Sequence, residues 1–209
     1  MIDISHLTPE RKARMQSAIA NRQTDLAVVM ENIGDVHNIA AVMRTCDAVG
    51  VQDIYVLNTD ELIADIQEKA FRSSRSANRW VTVHQYENLE ECVRALKAKY
   101  QKIYCTHLST DAKSLYELDF TQDAVALVFG NEQKGVSAEM LQYCDGNFII
   151  PQVGMIKSLN ISVACAVTLY EAFRQKNAAG QYGIQKMAEA DADVLWERWS
   201  QKVKGKIQK

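Results

Sequence analysis

The chain has no C-x-x-C pair, no apolar run approaching the roughly 18 residues of a bilayer crossing, and no apolar h-region near its start. The first absence speaks against a disulfide framework. Cys46, Cys92, Cys105, Cys144 and Cys165 are scattered and odd in number, which suits reduced thiols in a cytosol. The other two leave no membrane contact to expect. The segment from Met1 to Arg22 carries Asp3, Glu10, Arg11, Lys12, Arg14 and Arg22, so no signal peptide is expected and the cytoplasm is the expected location. There is no G-x-G-x-x-G, so a nicotinamide or other standard Rossmann cofactor has no fingerprint here. His6, His37, His84 and His107 show no ligand spacing, and no metal is expected. Neither sign of charge dominates: 24 basic side chains face 26 acidic ones, net -2, so bulk electrostatics does not announce a nucleic acid.

What is present is a hydrophobic fraction of 47% in 209 residues, enough for one domain with a real core. From Leu26 onward short apolar runs alternate with longer amphipathic ones, the pattern of an α/β protein with a parallel sheet and helical crossovers. Strands are predicted at 26–31, 53–57, 80–84, 102–107, 124–130 and 147–151. Helices are predicted at 8–23, 38–49, 62–71, 89–100, 137–143, 158–175 and 191–202. Pro9 suits the first turn of the first helix, where its missing N–H has no partner to lose. That helix has a sparse apolar face of Met15, Ala18 and Ile19, so it should rest on another surface rather than sink into a core. The chain divides into an N-terminal helical extension (1–25), a central domain (26–176) and a C-terminal helical extension (177–209). Such extensions are natural arms for a large substrate. Lys69, Arg72, Arg75 and Arg79, and at the end Lys202, Lys204, Lys206 and Lys209, are either phosphate contacts or solvated faces.

Three segments look like chemistry. In the first, running from Glu31 to Thr45, a strand ends in a polar loop and Asn38 is placed to cap the following helix. Ile39, Val42, Met43, Cys46 and Val49 form that helix's buried stripe. Arg44 lies off the stripe, either as an ordinary surface arginine or with its head directed at a phosphate. In the second, from Ala124 to Ser137, a buried strand runs into a turn bearing Gly130 and Gly135, at the strand end where open α/β sheets bind ligands. A phosphate loop is excluded because Val136, not Lys-Ser/Thr, follows the second glycine. The third, from Phe148 to Ser162, joins backbone donors to apolar side chains, a lining better suited to an uncharged adenine and a sulfonium than to a phosphate. Ser158 is placed there as a helix N-cap.

Read together, N-x-x-A-x-x-R-T (Asn38 to Thr45), F-G-N-E-x-x-G (Phe129 to Gly135) and S-L-N-I-S (Ser158 to Ser162) resemble the three motifs of the SpoU class of RNA ribose 2′-O-methyltransferases, in the SPOUT superfamily. The resemblance covers about Leu26 to Gln175. It implies a mostly parallel sheet with helices on both faces and a C-terminal trefoil knot, a homodimer, S-adenosylmethionine as cofactor and tRNA as substrate, methylated on guanosine 18 of the D-loop. It also implies roles: Arg44, Asn38, Glu132, Ser158 and Asn160 around the reacting ribose, and Thr106, Gly130, Ile150 and Leu159 on the cofactor. Arg11, Lys12, Arg14, Arg72, Arg75 and Arg79 are then the expected RNA contacts. Alternatives within reach are a ribosomal RNA methyltransferase of the same class and a non-catalytic RNA-binding homologue.

Overall fold

A computed structural model describes residues 6–60 and 79–201. The helix expected at 62–71, together with Lys69, Arg72, Arg75 and the four C-terminal lysines, lies outside the described residues.

Seven strands form one sheet. In chain order they are β1 (Gln23–Glu31), β2 (Val51–Leu57), β3 (Thr82–Tyr86), β4 (Lys102–Thr106), β5 (Lys113–Ser114), β6 (Val125–Phe129) and β7 (Gly146–Ile149). Their spatial order is β3-β2-β1-β6-β4-β7-β5, and every neighbouring pair is parallel. The helices are α1 (Pro9–Ala20), α2 (Val36–Ala48), α3 (Leu89–Lys97), α4 (Ala138–Leu141), α5 (Ile161–Ala178) and α6 (Glu189–Ser200). The expected class holds, with shifted ends and one addition: β5, two residues long, is too short for any periodicity to reveal.

Alternate side chains of β1 enter different cores, as the pleat demands. Leu26, Val28 and Met30 pack with Val42, Met43 and Cys46 of α2 and Cys165 and Leu169 of α5. Ala27 and Val29 pack with Cys92, Val93 and Leu96 of α3 and Met140 of α4. With helices on both faces, a strand is apolar throughout rather than alternating, which is why β6 reads as the unbroken run Val125 to Phe129. A third cluster lies apart. Met15 and Ile19 of α1 rest on Leu195 and Trp199 of α6, so the sparse apolar face of the N-terminal helix is covered by the C-terminal one.

Two helix starts differ from expectation. Asp35, not Asn38, caps α2: its backbone is extended and its Oδ1 accepts from His37 N at 2.8 Å. Likewise Asn160, not Ser158, caps α5, its Oδ1 accepting from Ser162 N at 2.9 Å. Both corrections matter to the site, because Asn38 is thereby freed to reach across to another loop. Among the described residues no helix is long and apolar enough to cross a membrane.

Under the other end of the sheet a small charge cluster ties β2 to β3 and to the end of α3. Burial raises the Asp53 carboxyl, but bonds from His84 Nε2 (2.8 Å) and Lys99 Nζ (2.7 Å) outweigh it and hold the group below its ordinary 3.8. A depressed carboxyl contributes stability above its unfolded value and loses it as the pH falls through the folded one. Urea midpoints measured downward from about pH 5 should therefore drop more steeply in the parent than in Asp53→Asn, which starts lower at neutral pH. Parallel acid limbs for the two proteins would refute this role.

Candidate functional site

Because β1 and β6 are neighbours, with Met30 opposite Phe129, the loops leaving their carboxyl ends emerge side by side. Each loop is shaped locally. After β6, Asn131 and Gly135 exchange backbone hydrogen bonds of 3.0 and 2.8 Å, while Asn131 Oδ1 accepts from Gln133 N and Lys134 N. Gly130 lies at the neck of this loop, where a Cβ would stand 2.2 Å from Gly135 C and from Val136 N. After β1, Asn32 takes the left-handed conformation (φ 51°), which asparagine tolerates better than most residues. Its side chain fastens the loop after β2 by accepting from Thr59 N at 2.9 Å.

Five hydrogen bonds then join the β1 and β6 loops. Asn38 Nδ2 donates to Glu132 Oε1 at 2.9 Å, and Gly34 N to Glu132 Oε2 at 3.4 Å. Asn131 Nδ2 donates to Asn32 O at 2.7 Å. Ser137 donates twice to Glu31, from N at 2.9 Å and from Oγ at 2.5 Å. Glu31 is a buried carboxylate, and two donors aimed at its two oxygens are what make its burial tolerable. The structure thus brings Asn38 and Glu132 into contact and holds the pair in a stiff frame. Glu31, Asn32, Asn131 and Ser137 had no assigned role in the sequence reading. The one available signal was a polar residue directly at the end of a buried strand.

Arg44 projects from α2 to solvent, off the stripe of Ile39, Val42, Met43 and Cys46, as the spacing predicts. It lies about 9 Å further along the helix axis than Asn38. Thr106, Gly130 and Ile150 close the adjacent strands β4, β6 and β7, so these three fall in a row; Thr106 Oγ1 donates to Val128 O at 3.4 Å within it. The third segment follows. From Pro151 to Ser158 the chain is exposed, and none of its backbone N–H groups donates a hydrogen bond among the described residues. Leu159 is half-buried and Asn160 exposed, at the start of α5. Apolar side chains and main-chain donors are the chemistry that suits an uncharged purine and a sulfonium, and this segment offers both. Among the described residues no group of three His, Cys, Asp or Glu side chains is placed to hold a metal ion.

The expected RNA contacts lie elsewhere. Arg11 and Arg14 are exposed on α1 and Lys12 is half-buried there. Arg79 is engaged with the end of α6, its Nη2 donating to Trp199 O at 2.6 Å and Gln201 O at 2.8 Å.

Residues 25–170 match the SpoU rRNA Methylase family. The tRNA (guanosine(18)-2′-O)-methyltransferase of Thermus thermophilus is 40% identical over 175 residues, 84% of this chain and 88% of that protein. The crystal structure of the Aquifex aeolicus TrmH/SpoU tRNA modifying enzyme superposes with a TM-score of 0.80 at 34% identity, covering 91% of this chain and 95% of that one. A SpoU methyltransferase from Streptomyces viridochromogenes, in complex with the cofactor AdoMet, gives a TM-score of 0.63 at 26% identity over 77% of this chain and 64% of its own.

Proposed function

The chain belongs to the SpoU methylase family, and we propose that it methylates the ribose 2′-hydroxyl of guanosine 18 in the D-loop of tRNA, using S-adenosylmethionine. The observation that carries this reading is the Asn38–Glu132 hydrogen bond, which joins the first two motifs beside the row of Thr106, Gly130 and Ile150. Those three residues and Leu159 would hold the cofactor, largely through backbone atoms. Bound there, it would supply a methyl group already activated on a sulfonium. The protein's task is then alignment and removal of one proton. Arg44 binds the adjacent phosphate and orients the hydroxyl; a guanidinium stays protonated, so the proton leaves to a phosphate oxygen or water. Asn38 and Glu132 border the ribose, with Ser158 and Asn160 closing it from the third segment.

The same reading includes a trefoil knot and a homodimer. The insertion of β7 between β4 and β5 supports the first. The exposed apolar side chains Val153, Met155, Ile156, Val163 and Tyr170 support the second. It keeps residues 26–176 as the methyltransferase domain between helical extensions, in a cytosolic protein whose five cysteines are free.

The test is to incubate unmodified tRNA transcripts and, separately, unmodified ribosomal RNA with labelled cofactor and map the modified nucleotide. Label on guanosine 18 is expected; label only on ribosomal RNA, or none, overturns the reading. Arg11, Lys12 and Arg14 supply sequence-independent affinity, so each charge removed should reduce the slope of log K against log salt by about one. Slopes unchanged by Arg11→Ala or Arg14→Ala would remove these residues from the interface.

A further inference from the structure

β1 lies between β2 and β6 in the sheet, and Asn32 is the first residue beyond its end. Among the described residues it is the one non-glycine residue with a positive φ, 51°. A left-handed turn by itself calls for glycine, which has no Cβ to strain. The side chain shows what glycine would lack here.

Every polar atom of Asn32 is engaged, and the partners belong to both flanking loops. Towards β2, its N donates to Leu57 O at 2.8 Å and its Nδ2 to Thr59 Oγ1 at 2.9 Å, while Oδ1 accepts from Thr59 N at 2.9 Å and Asp60 N at 3.4 Å. Towards β6, its O accepts from Asn131 Nδ2 at 2.7 Å. Side chain and carbonyl thus serve opposite neighbours. The Asn131 amide continues the link, since its Oδ1 accepts from Gln133 N and Lys134 N and so brackets Glu132. Glu132 in turn accepts from Gly34 N and Asn38 Nδ2, a few residues beyond Asn32. The contacts close a ring, from residue 32 to 131, from 132 to 34 and 38, and back along the chain. Releasing one member loosens the rest.

We propose that Asn32 is a positioning residue for methyl transfer: by pinning the β2 loop with its side chain and Asn131 with its carbonyl, it holds Glu132 against Asn38 at the edge of the ribose. That role rests on the RNA-methyltransferase reading and extends it to a residue that touches neither ribose nor cofactor. The fold itself is secured by the buried apolar residues of β1 and by Ile33, which is fully buried next to the turn. What the Asn32 bonds set is the spacing of two loops, and a misplacement of about 1 Å can cost on the order of 100-fold in rate.

Two variants separate turn from side chain. Asn32→Gly keeps the turn, favours it, and removes the side chain. Asn32→Asp tolerates the turn, keeps both acceptor bonds and can receive a hydrogen from the Thr59 hydroxyl in place of donating one. Full-length proteins are compared in single-turnover methyl transfer, at saturating S-adenosylmethionine, to whichever RNA the wild type methylates. Asn32→Gly is expected to slow transfer about ten-fold and Asn32→Asp by less than about three-fold, with cofactor affinity by calorimetric titration within about two-fold of wild type in both. In a Glu132→Ala background Asn32→Gly should cost less than about two-fold, because the group it positions is gone. Asn131→Asp cuts the same link from the other loop while keeping the bonds from Gln133 N and Lys134 N. It should match Asn32→Gly, and the two together should be less than about two-fold slower than either. A rate unchanged by Asn32→Gly or by Asn131→Asp, an equal cost of Asn32→Gly with and without Glu132, or Asn32→Asp as slow as Asn32→Gly would overturn the role. A wild type that methylates no RNA overturns the parent reading and this role together, whereas a methylating wild type with independent effects at residues 32 and 132 overturns the role alone.

Discussion

Gly130→Ala is expected to abolish cofactor binding and methyl transfer together. The added methyl would stand 2.2 Å from Gly135 C and Val136 N and 2.3 Å from Gly135 O, all backbone atoms that cannot rotate aside. Relief requires opening the Asn131–Gly135 pair of hydrogen bonds, and that loop carries Glu132 and, through it, Asn38. We expect a stability loss of about 1–3 kcal/mol, the usual cost of overpacking, and a site that no longer closes. Gly135→Ala is the control. That position has φ +72° but open space around its would-be Cβ, so it should cost only about 1–2 kcal/mol of backbone strain. Calorimetric titration with S-adenosylmethionine and urea unfolding measure both effects. Near-normal cofactor binding by Gly130→Ala would show that the loop does not form the cofactor groove.

The second large effect is expected at Arg44. Arg44→Lys should lower kcat about 100-fold, and Arg44→Ala at least as much, with stability within about 0.5 kcal/mol of the parent because the side chain is exposed. Lysine keeps the charge but loses the planar fork that can grip a phosphate and direct a hydroxyl at once. Single-turnover rates on unmodified tRNA, with cofactor affinity measured in parallel, isolate the chemical step. Turnover near normal in Arg44→Lys would mean that charge alone suffices, and the orienting role would fall. A rate lost only through weaker tRNA binding would instead place Arg44 with the phosphate contacts of α1.

How much of this was legible beforehand varies by element. The alternation of short apolar runs with amphipathic ones was enough for α/β, because a strand or helix reports on its own neighbours. The stripe of α2 was read correctly for the same reason, and with it the outward direction of Arg44. The caps were not. Asp35 and Asn38, like Ser158 and Asn160, are equally good capping residues by type, and only the backbone's path decides which one is extended. The roles proposed for Arg44, Asn38 and Glu132 came from resemblance to a family; spacing alone left Arg44 either an ordinary surface arginine or a phosphate contact.

By itself, then, the sequence determined the class of the fold, the faces that α1 and α2 bury and the family of the chemistry. Tertiary structure decided which distant residues meet. Asn38 and Glu132 are 94 positions apart, and Glu31 and Ser137 106 apart. They touch because β6 was inserted next to β1, an arrangement set by how the whole sheet orders its strands. The third apolar cluster has the same origin: it exists because α1 and α6, far apart in the chain, cover each other's apolar faces. Periodicity acts over a few residues, whereas a site at strand ends is made by contacts that close loops of a hundred.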